Sequence, residues 1–212
     1  MDIKILKERL DEFIGKTYDE IQYLIDKPTK QTNKSKEAYV LQQLFYKLFK
    51  DEILEKKGKN VFYFKEGFQV TVKSSRVTDN DDVQESASFP TIKPEIIHEV
   101  WETSSLRSQL YDANFIWCFW KVNSLNQQVL TKIKIFKLNE DEINEIKKVW
   151  EVTKNAFLDK TYHFPKINEN RISHVRNNDG GFYKLVNEYG AKVKTQCFWL
   201  NNSFINENIY KN

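Results

Sequence analysis

Apolar positions recur at helical spacing through the first fifty residues. Ile3, Leu6, Leu10, Phe13 and Ile14 fall on one face and predict an opening helix. A second turn and helix run through Ile21, Tyr23, Leu24 and Ile25, preceded by Thr17 and Glu20 at capping-box spacing. Lys27 to Lys36 is polar, contains Pro28 and reads as a loop. Helical spacing then resumes from Glu37 to Lys50 through Tyr39, Val40, Leu44, Phe45, Leu48 and Phe49, which predicts a deeply packed third helix.

After Gly58 the period changes from helix to strand. Val61 to Phe64 and Gly67 to Val77 alternate β-branched and aromatic residues, as a hairpin or meander does. Asp79 to Asp82 reads as a solvated turn and Val83 to Phe89 as a further strand. Pro94 opens short helices over Glu95 to Val100 and Thr103 to Leu110. Phe115 to Lys121 is apolar on both faces, the signature of a central strand, with Gln128 to Leu138 as its neighbour. Asn139 and Glu142 cap a long helix to about Leu158, whose apolar face includes Ile143, Ile146, Val149, Trp150 and Phe157. Strands near Arg171 to Arg176 and Lys194 to Leu200, a loop holding Asp179, Gly180 and Gly181, and a last helix from Phe204 to Tyr210 complete the chain. The pattern predicts a mixed α/β (α+β) fold over residues 1–212, as one compact domain or two closely packed lobes, with no internal repeat.

Composition narrows the functional classes. With 14% aromatic residues and few Gly or Pro, the chain has the material for a real core and is not a low-complexity scaffold. It has no apolar run long enough to span a membrane and no secretory leader, so a cytoplasmic protein without a membrane partner is expected. Cys118 and Cys197 stand among apolar residues and read as buried reduced thiols. The three histidines, His98, His163 and His174, are scattered among unlike elements, and no P-loop, dinucleotide fingerprint, nucleophile elbow or zinc-helix motif is present.

The net charge of +3 conceals an uneven distribution. Lys27 to Arg76 holds twelve basic residues against five acidic, Asp79 to Glu102 one against seven, and Lys160 to Lys194 seven against three. Basic stretches of this kind are either solvated surface or a face turned toward phosphates, whose affinity then falls with salt.

Three stretches carry more than composition. They are Phe64 to Lys73 with the strand pattern Gln69-Val70-Thr71-Val72-Lys73, then Trp101 to Leu110 ahead of the strand holding Trp117, and finally Ser173-His174-Val175-Arg176 with Thr195 to Asn202. In this order the sequence resembles the MutH family, which comprises the GATC-nicking mismatch-repair endonuclease and related GATC-specific type II restriction endonucleases. Some of those carry two MutH-like domains in one chain, and the end of this chain looks like that of the second, C-terminal domain. The resemblance implies a restriction-endonuclease-type fold, a central mixed sheet flanked by helices.

The resemblance also shows a departure. A MutH-like nuclease places an Asp, then Glu-x-Lys on the next strand, because two carboxylates hold Mg²⁺ at the scissile phosphate while the Lys orients or activates water. Lys73 matches the lysine, but Thr71 stands at the Glu position and Phe64 at the Asp position. No metal site is expected unless Glu66 or Glu85 has moved into place. Lys73 is then either an exposed strand lysine or a phosphate contact kept from an ancestral active site.

What the resemblance leaves is DNA recognition. Arg176 matches the family's base-contacting arginine, whose guanidinium bonds guanine O6 and N7 in the major groove. Asn177 and Asn178 follow it, while Lys34, Lys36, Lys192 and Lys194 are candidate phosphate contacts. The implied function is sequence-specific binding of double-stranded DNA, GATC by resemblance, as the non-catalytic effector domain of a type II restriction endonuclease. Its partner would be a catalytic MutH-like domain in the same or another chain, which would use Mg²⁺. Two alternatives remain: a Mg²⁺-dependent endonuclease with rearranged carboxylates, and a protein-interaction module without DNA binding.

Overall fold

The structure, a computed structural model, describes residues 2–25, 36–58 and 60–212, with the backbone alone for residues 90 and 178–180. In chain order the elements are helices α1 (Ile3–Asp11), α2 (Tyr18–Tyr23) and α3 (Lys36–Phe49), then strands β1 (Ile53–Lys57), β2 (Val61–Phe64), β3 (Gln69–Val77) and β4 (Ala87–Thr91). Two 3₁₀ turns, Pro94–His98 and Trp101–Thr103, lead to α4 (Ser105–Leu110), β5 (Ala113–Val122), β6 (Gln128–Phe136) and α5 (Glu140–Leu158). The chain closes with β7 (Ser173–Val186), β8 (Lys192–Leu200), α6 (Asn202–Ile205) and a π-helical turn over Asn206–Tyr210. The fold is mixed α/β, with a mixed central sheet flanked by helices. Among the described residues, no helix is long and apolar enough to cross a membrane.

The chain divides into two compact units, each assembled from separate segments. The first holds the chain up to Glu85, Asp112–Lys137 and Asn206–Asn212; the second holds Ser86–Tyr111 and Leu138–Ile205.

The first unit is built on a five-stranded sheet in the order β1-β2-β3-β5-β6. The pairs are antiparallel except β3 with β5, which run parallel from Gln69–Ala113 to Val77–Lys121. A parallel pair needs a crossover rather than a hairpin, and here the crossover passes through the segment Ser86–Tyr111. On one face of the sheet Phe62, Phe64, Val70, Val72, Ile116, Cys118 and Trp120 form one cluster with Leu6 and Leu10 of α1 and Val40, Leu44 and Phe45 of α3. Each large side chain so buried contributes about 1.5–3 kcal/mol by leaving water. Leu6, Leu10, Val40 and Leu44 reach this core because their spacing puts them on single helix faces. The α2 cap forms as its sequence requires: Thr17 and Glu20 exchange the reciprocal bonds of a capping box.

The opposite face is buried as well. Strand alternation puts Thr71, Lys73 and Ser75 there, beside Phe115, Trp117 and Phe119 in the parallel register, and all six are buried. Burial on both faces is why β5 reads as a near-continuous apolar run. The indole Nε1 of Trp117 donates to Ser75 Oγ at 2.9 Å, so the polar atom of the largest residue in this layer is satisfied. Tyr210 packs its ring on Phe119 at 4.8 Å, and Lys132 Nζ donates to the Tyr210 carbonyl at 2.9 Å.

Two expectations change in this unit. The Asp79–Asp82 stretch is a tether and not merely a solvated turn: Asp81 accepts from Lys121 and from the Tyr210 hydroxyl, and Asp82 from Lys211 and Asn206. These donors, Lys121 first for Asp81 and Lys211 first for Asp82, hold both carboxyls below the usual carboxylate range. The reading of Lys73 as an exposed strand lysine is also corrected, because its side chain is 9% exposed in an aromatic layer. Burial disfavours the charged amine and lowers its pKa from 10.5 to about 8.

That shift has a sign. The unfolded chain holds the Lys73 proton more tightly than the folded one, so folding is penalised below about pH 8 and the penalty is relieved as pH rises toward 10.5. Denaturant unfolding is expected to show a gain of about 1 kcal/mol from this group between pH 8 and pH 9. The gain is expected to vanish in Lys73→Met; an identical pH profile for both proteins would show that Lys73 is not buried as a cation.

Candidate functional site

The second unit carries the three-stranded sheet β4-β8-β7. Helix α5 starts on the predicted capping box, Asn139 N to Glu142 Oε2 and Glu142 N to Asn139 Oδ1, both 2.9 Å. Its buried face presents Ile143, Ile146, Val149, Trp150 and Phe157. Phe157 holds two separate pieces of chain by ring contacts, Tyr162 and Phe164 on one side at 5.9 and 5.4 Å and Tyr183 of β7 at 5.5 Å. Val175 N donates to the Pro165 carbonyl at 2.8 Å, so the segment after α5 is fastened to β7 as well.

Between that segment and the β7–β8 hairpin lies a groove of about 700 Å³. Tyr162, His163, Phe164 and Lys166 line one wall; Arg176, Asn177, Tyr189, Lys192, Lys194 and Gln196 line the other. Four Lys or Arg face two Glu, Glu169 and Glu188, around it. The Glu169 carboxylate accepts from the backbone N–H of Lys166 at 2.9 Å. The groove therefore combines excess positive charge with aromatic walls, a chemistry suited to an anionic ligand with flat apolar parts.

Each functional side chain is set by its place in the β7–β8 ladder. Ser173 pairs with Leu200, Arg176 with Cys197 and Asn177 with Gln196; farther out Phe182 pairs with Lys194 and Val186 with Lys192. Arg176 and Asn177 are consecutive, so they leave the strand on opposite faces. Asn177 lies beside Gln196, whose Nε2 donates to Asn177 Oδ1 at 2.7 Å and to the Lys194 carbonyl at 2.9 Å. Arg176 lies on the face of His174 and Trp199, its guanidinium carbon 5.2 Å from the Trp199 ring centre. The arginine is exposed, so this cation–π contact holds its head over the ring while leaving N–H groups to face a ligand.

Below Arg176, His174 is 4% exposed and its Nδ1 lies 2.5 Å from Asn201 Oδ1. Asn201 Nδ2 donates to the carbonyls of Asn170 and Arg171, so its Oδ1 is the acceptor and His174 Nδ1 carries the proton. Burial lowers the His174 pKa, which keeps the ring neutral. Tyr183 has the equivalent structural role in the hairpin: its hydroxyl donates to the Ile92 carbonyl at 2.7 Å and accepts from Gln196 N at 3.0 Å. Burial raises its pKa to about 12.

The sequence-predicted residues do not all come together. Arg176, Asn177, Lys192 and Lys194 share the groove. Lys36 belongs to the first unit, where its Nζ lies 4.8 Å from the Tyr18 ring centre. Lys34 and the side chain of Asn178 lie outside the described residues. Lys166, Tyr162, His163 and Tyr189 were not anticipated as site residues; the basic excess of Lys160 to Lys194 signals Lys166 but not the aromatic walls.

The three positions that the resemblance sets against nuclease ligands do not lie on one side of the sheet. Thr71 and Lys73 share a face of β3, but β2 pairs Val61 with Thr71 and Phe62 with Val70, so Phe64 points to the other side of the sheet. Phe64 is 1% exposed and stacks on Phe68 at 4.8 Å. A residue at position 64 therefore does not share a site with Thr71 and Lys73; Val61 and Tyr63 are the β2 residues on their side. Glu85, a candidate replacement carboxylate, is paired with Arg76, and Glu66 is exposed. A phenyl ring, a neutral hydroxyl and an amine make no donor set for Mg²⁺, so these residues do not fit the metal. Among the described residues no group of three or more His, Cys, Asp or Glu is placed to hold a metal ion.

Glycine acts in the hairpin differently from expectation. Gly180 and Gly181 are not a turn between strands, because β7 continues through them to Val186 and the reversal occurs over Asn187–Ala191. Residues 178–181 lie opposite Thr195 alone, which is a β-bulge. A Cβ at Gly181 would meet Thr195 Oγ1 at 2.7 Å and Cγ2 at 3.2 Å.

No family model matches the chain, and none of the curated proteins is similar to it.

Because Thr195 is β-branched and stiff, Gly181→Ala is expected to destabilise the protein by about 1–3 kcal/mol. Adding Thr195→Ala is expected to restore most of that loss, as read by denaturant unfolding. If the two losses instead add, Gly181 is kept for a reason other than its approach to Thr195.

Proposed function

We propose that the chain is a double-stranded DNA-binding domain without catalytic activity, the effector part of a MutH-like restriction endonuclease directed to GATC. The observation that carries this reading is the groove in which Arg176, Asn177, Lys192 and Lys194, dispersed in sequence, meet with Lys166. Positive side chains on a hairpin match the demands of a duplex backbone, whose phosphates bind cations without regard to sequence. The Arg176 guanidinium, held over Trp199 and exposed, supplies the planar fork that reads guanine in the major groove. The absence of a donor set at Thr71, Lys73 and Phe64 argues against hydrolysis by this chain. Cleavage then belongs to a partner MutH-like domain using Mg²⁺, and occupation of a second site through this domain regulates it.

Fluorescence anisotropy with GATC and scrambled duplexes, with and without Mg²⁺, tests the reading. The purified chain is expected to prefer GATC and to leave both duplexes uncut. Arg176→Ala is expected to reduce the preference by about 1–3 kcal/mol, the value of a bidentate guanine contact. Mg²⁺-dependent nicking lost in Lys73→Ala would establish the endonuclease alternative, and no binding to either duplex would leave a protein-interaction module.

A further inference from the structure

The outer part of the hairpin, besides giving Lys192 and Lys194 to the groove, carries Phe182, Lys184 and Val186, which do not line it. Strand β4 pairs with β8 from Ala87–Leu200 to Thr91–Cys197, and Ile92 N donates to the Gln196 carbonyl. Among the described residues, β8 has no second partner strand from Lys192 to Thr195, so Phe182–Val186 with Lys192–Thr195 forms a two-stranded ribbon.

This ribbon is amphipathic. Tyr183 and Val193 are buried, whereas Phe182, Lys184 and Val186 are exposed, and the register puts Lys194 opposite Phe182 and Lys192 opposite Val186. The exposed face thus carries three lysines around two apolar side chains, Phe182 at 55% and Val186 at 57% exposure. Its reversal, Asn187–Ala191, adds the single acid Glu188.

We infer that this ribbon enters the major groove of the duplex, where Phe182 and Val186 cover thymine C5-methyl groups while Lys184, Lys192 and Lys194 meet the flanking phosphates. The major groove of B-DNA admits a two-stranded β-ribbon, and thymine alone presents a methyl group there, against which Phe is a known type of apolar contact. The minor groove offers no methyl group, so an apolar contact of this kind is available only on the major-groove side. A bare apolar surface would point to many partners; apolar centres ringed by lysines point to one that is polyanionic outside and apolar at its base edges. The inference rests on the duplex-binding reading above and adds which element reads the bases, which groove it occupies and which chemical group it recognises.

The test replaces thymine by uracil in a GATC duplex, which removes C5-methyl groups and leaves base pairing and phosphates intact. Wild-type affinity is expected to fall about fourfold per covered methyl, the equivalent of about 0.8 kcal/mol. Phe182→Ala is expected to narrow the thymine–uracil difference and Phe182→Ala with Val186→Ala to abolish it, with circular dichroism confirming the fold of both, and a minor-groove ligand is expected not to compete. Lys184→Gln is expected to weaken both duplexes equally and preserve the ratio. Duplex binding by wild type with no thymine–uracil difference would overturn the ribbon's role and leave the duplex-binding reading standing. No duplex binding at all would overturn both.

Discussion

The antiparallel pairing of β7 with β8 fixes Arg176, Lys192 and Lys194, the strand cations of the candidate site. Its inner part, Ser173–Asn177 with Gln196–Leu200, is joined by β4 and packed beneath α5. Its outer part has two strands and is held by Tyr183, whose hydroxyl spans Ile92 and Gln196. Strand alternation does the rest, sending Val193 inward and Lys192 and Lys194 outward. A one-residue slip would exchange these faces and bury the lysines, so the bulge opposite Thr195, kept by a glycine at 181, is as necessary to the site as the lysines are.

The sheet of the first unit shows the opposite use of similar parts. There Thr71 and Lys73 are polar residues of an inner strand, and both are buried beside Phe115, Trp117 and Phe119. A buried layer of aromatic rings gives stability and excludes water, whereas Mg²⁺-assisted hydrolysis needs water and charged oxygen ligands. The two units thus divide along chemical lines, an aromatic interior in one and an exposed cationic hairpin in the other.

Much of this was legible in the sequence, for physical reasons that differ by element. The caps at Thr17–Glu20 and Asn139–Glu142 are local and form as spaced. Strand β5 announces itself because both faces need apolar residues. Strand β1 was missed because an edge strand with Glu55, Lys56 and Lys57 exposed has no apolar alternation to show, charge being what protects such an edge from further pairing. The strand expected over Val83 to Phe89 begins later, at Ala87, with Val83 making only a bridge to Val77. The Gly180–Gly181 pair looked like a turn because glycine punctuates turns more often than it admits a facing side chain. Of the site, the residue types and the basic segment were readable, but which lysines share a face depends on register, and register is set by long-range pairing. The Asp81 and Asp82 contacts with Tyr210 and Lys211 join residues 129 positions apart and leave no local trace.

The proposed function requires the cationic hairpin to bind a duplex through its phosphates. The dependence of duplex affinity on salt tests it most directly, because each phosphate neutralised by a lysine releases counterions and contributes about −0.9 to the log–log slope. The account predicts a linear decrease, with a slope of about −3 from Lys184, Lys192 and Lys194 together that is lost when all three are changed to glutamine. Affinity independent of salt, or a slope unaltered in the triple variant, would contradict it.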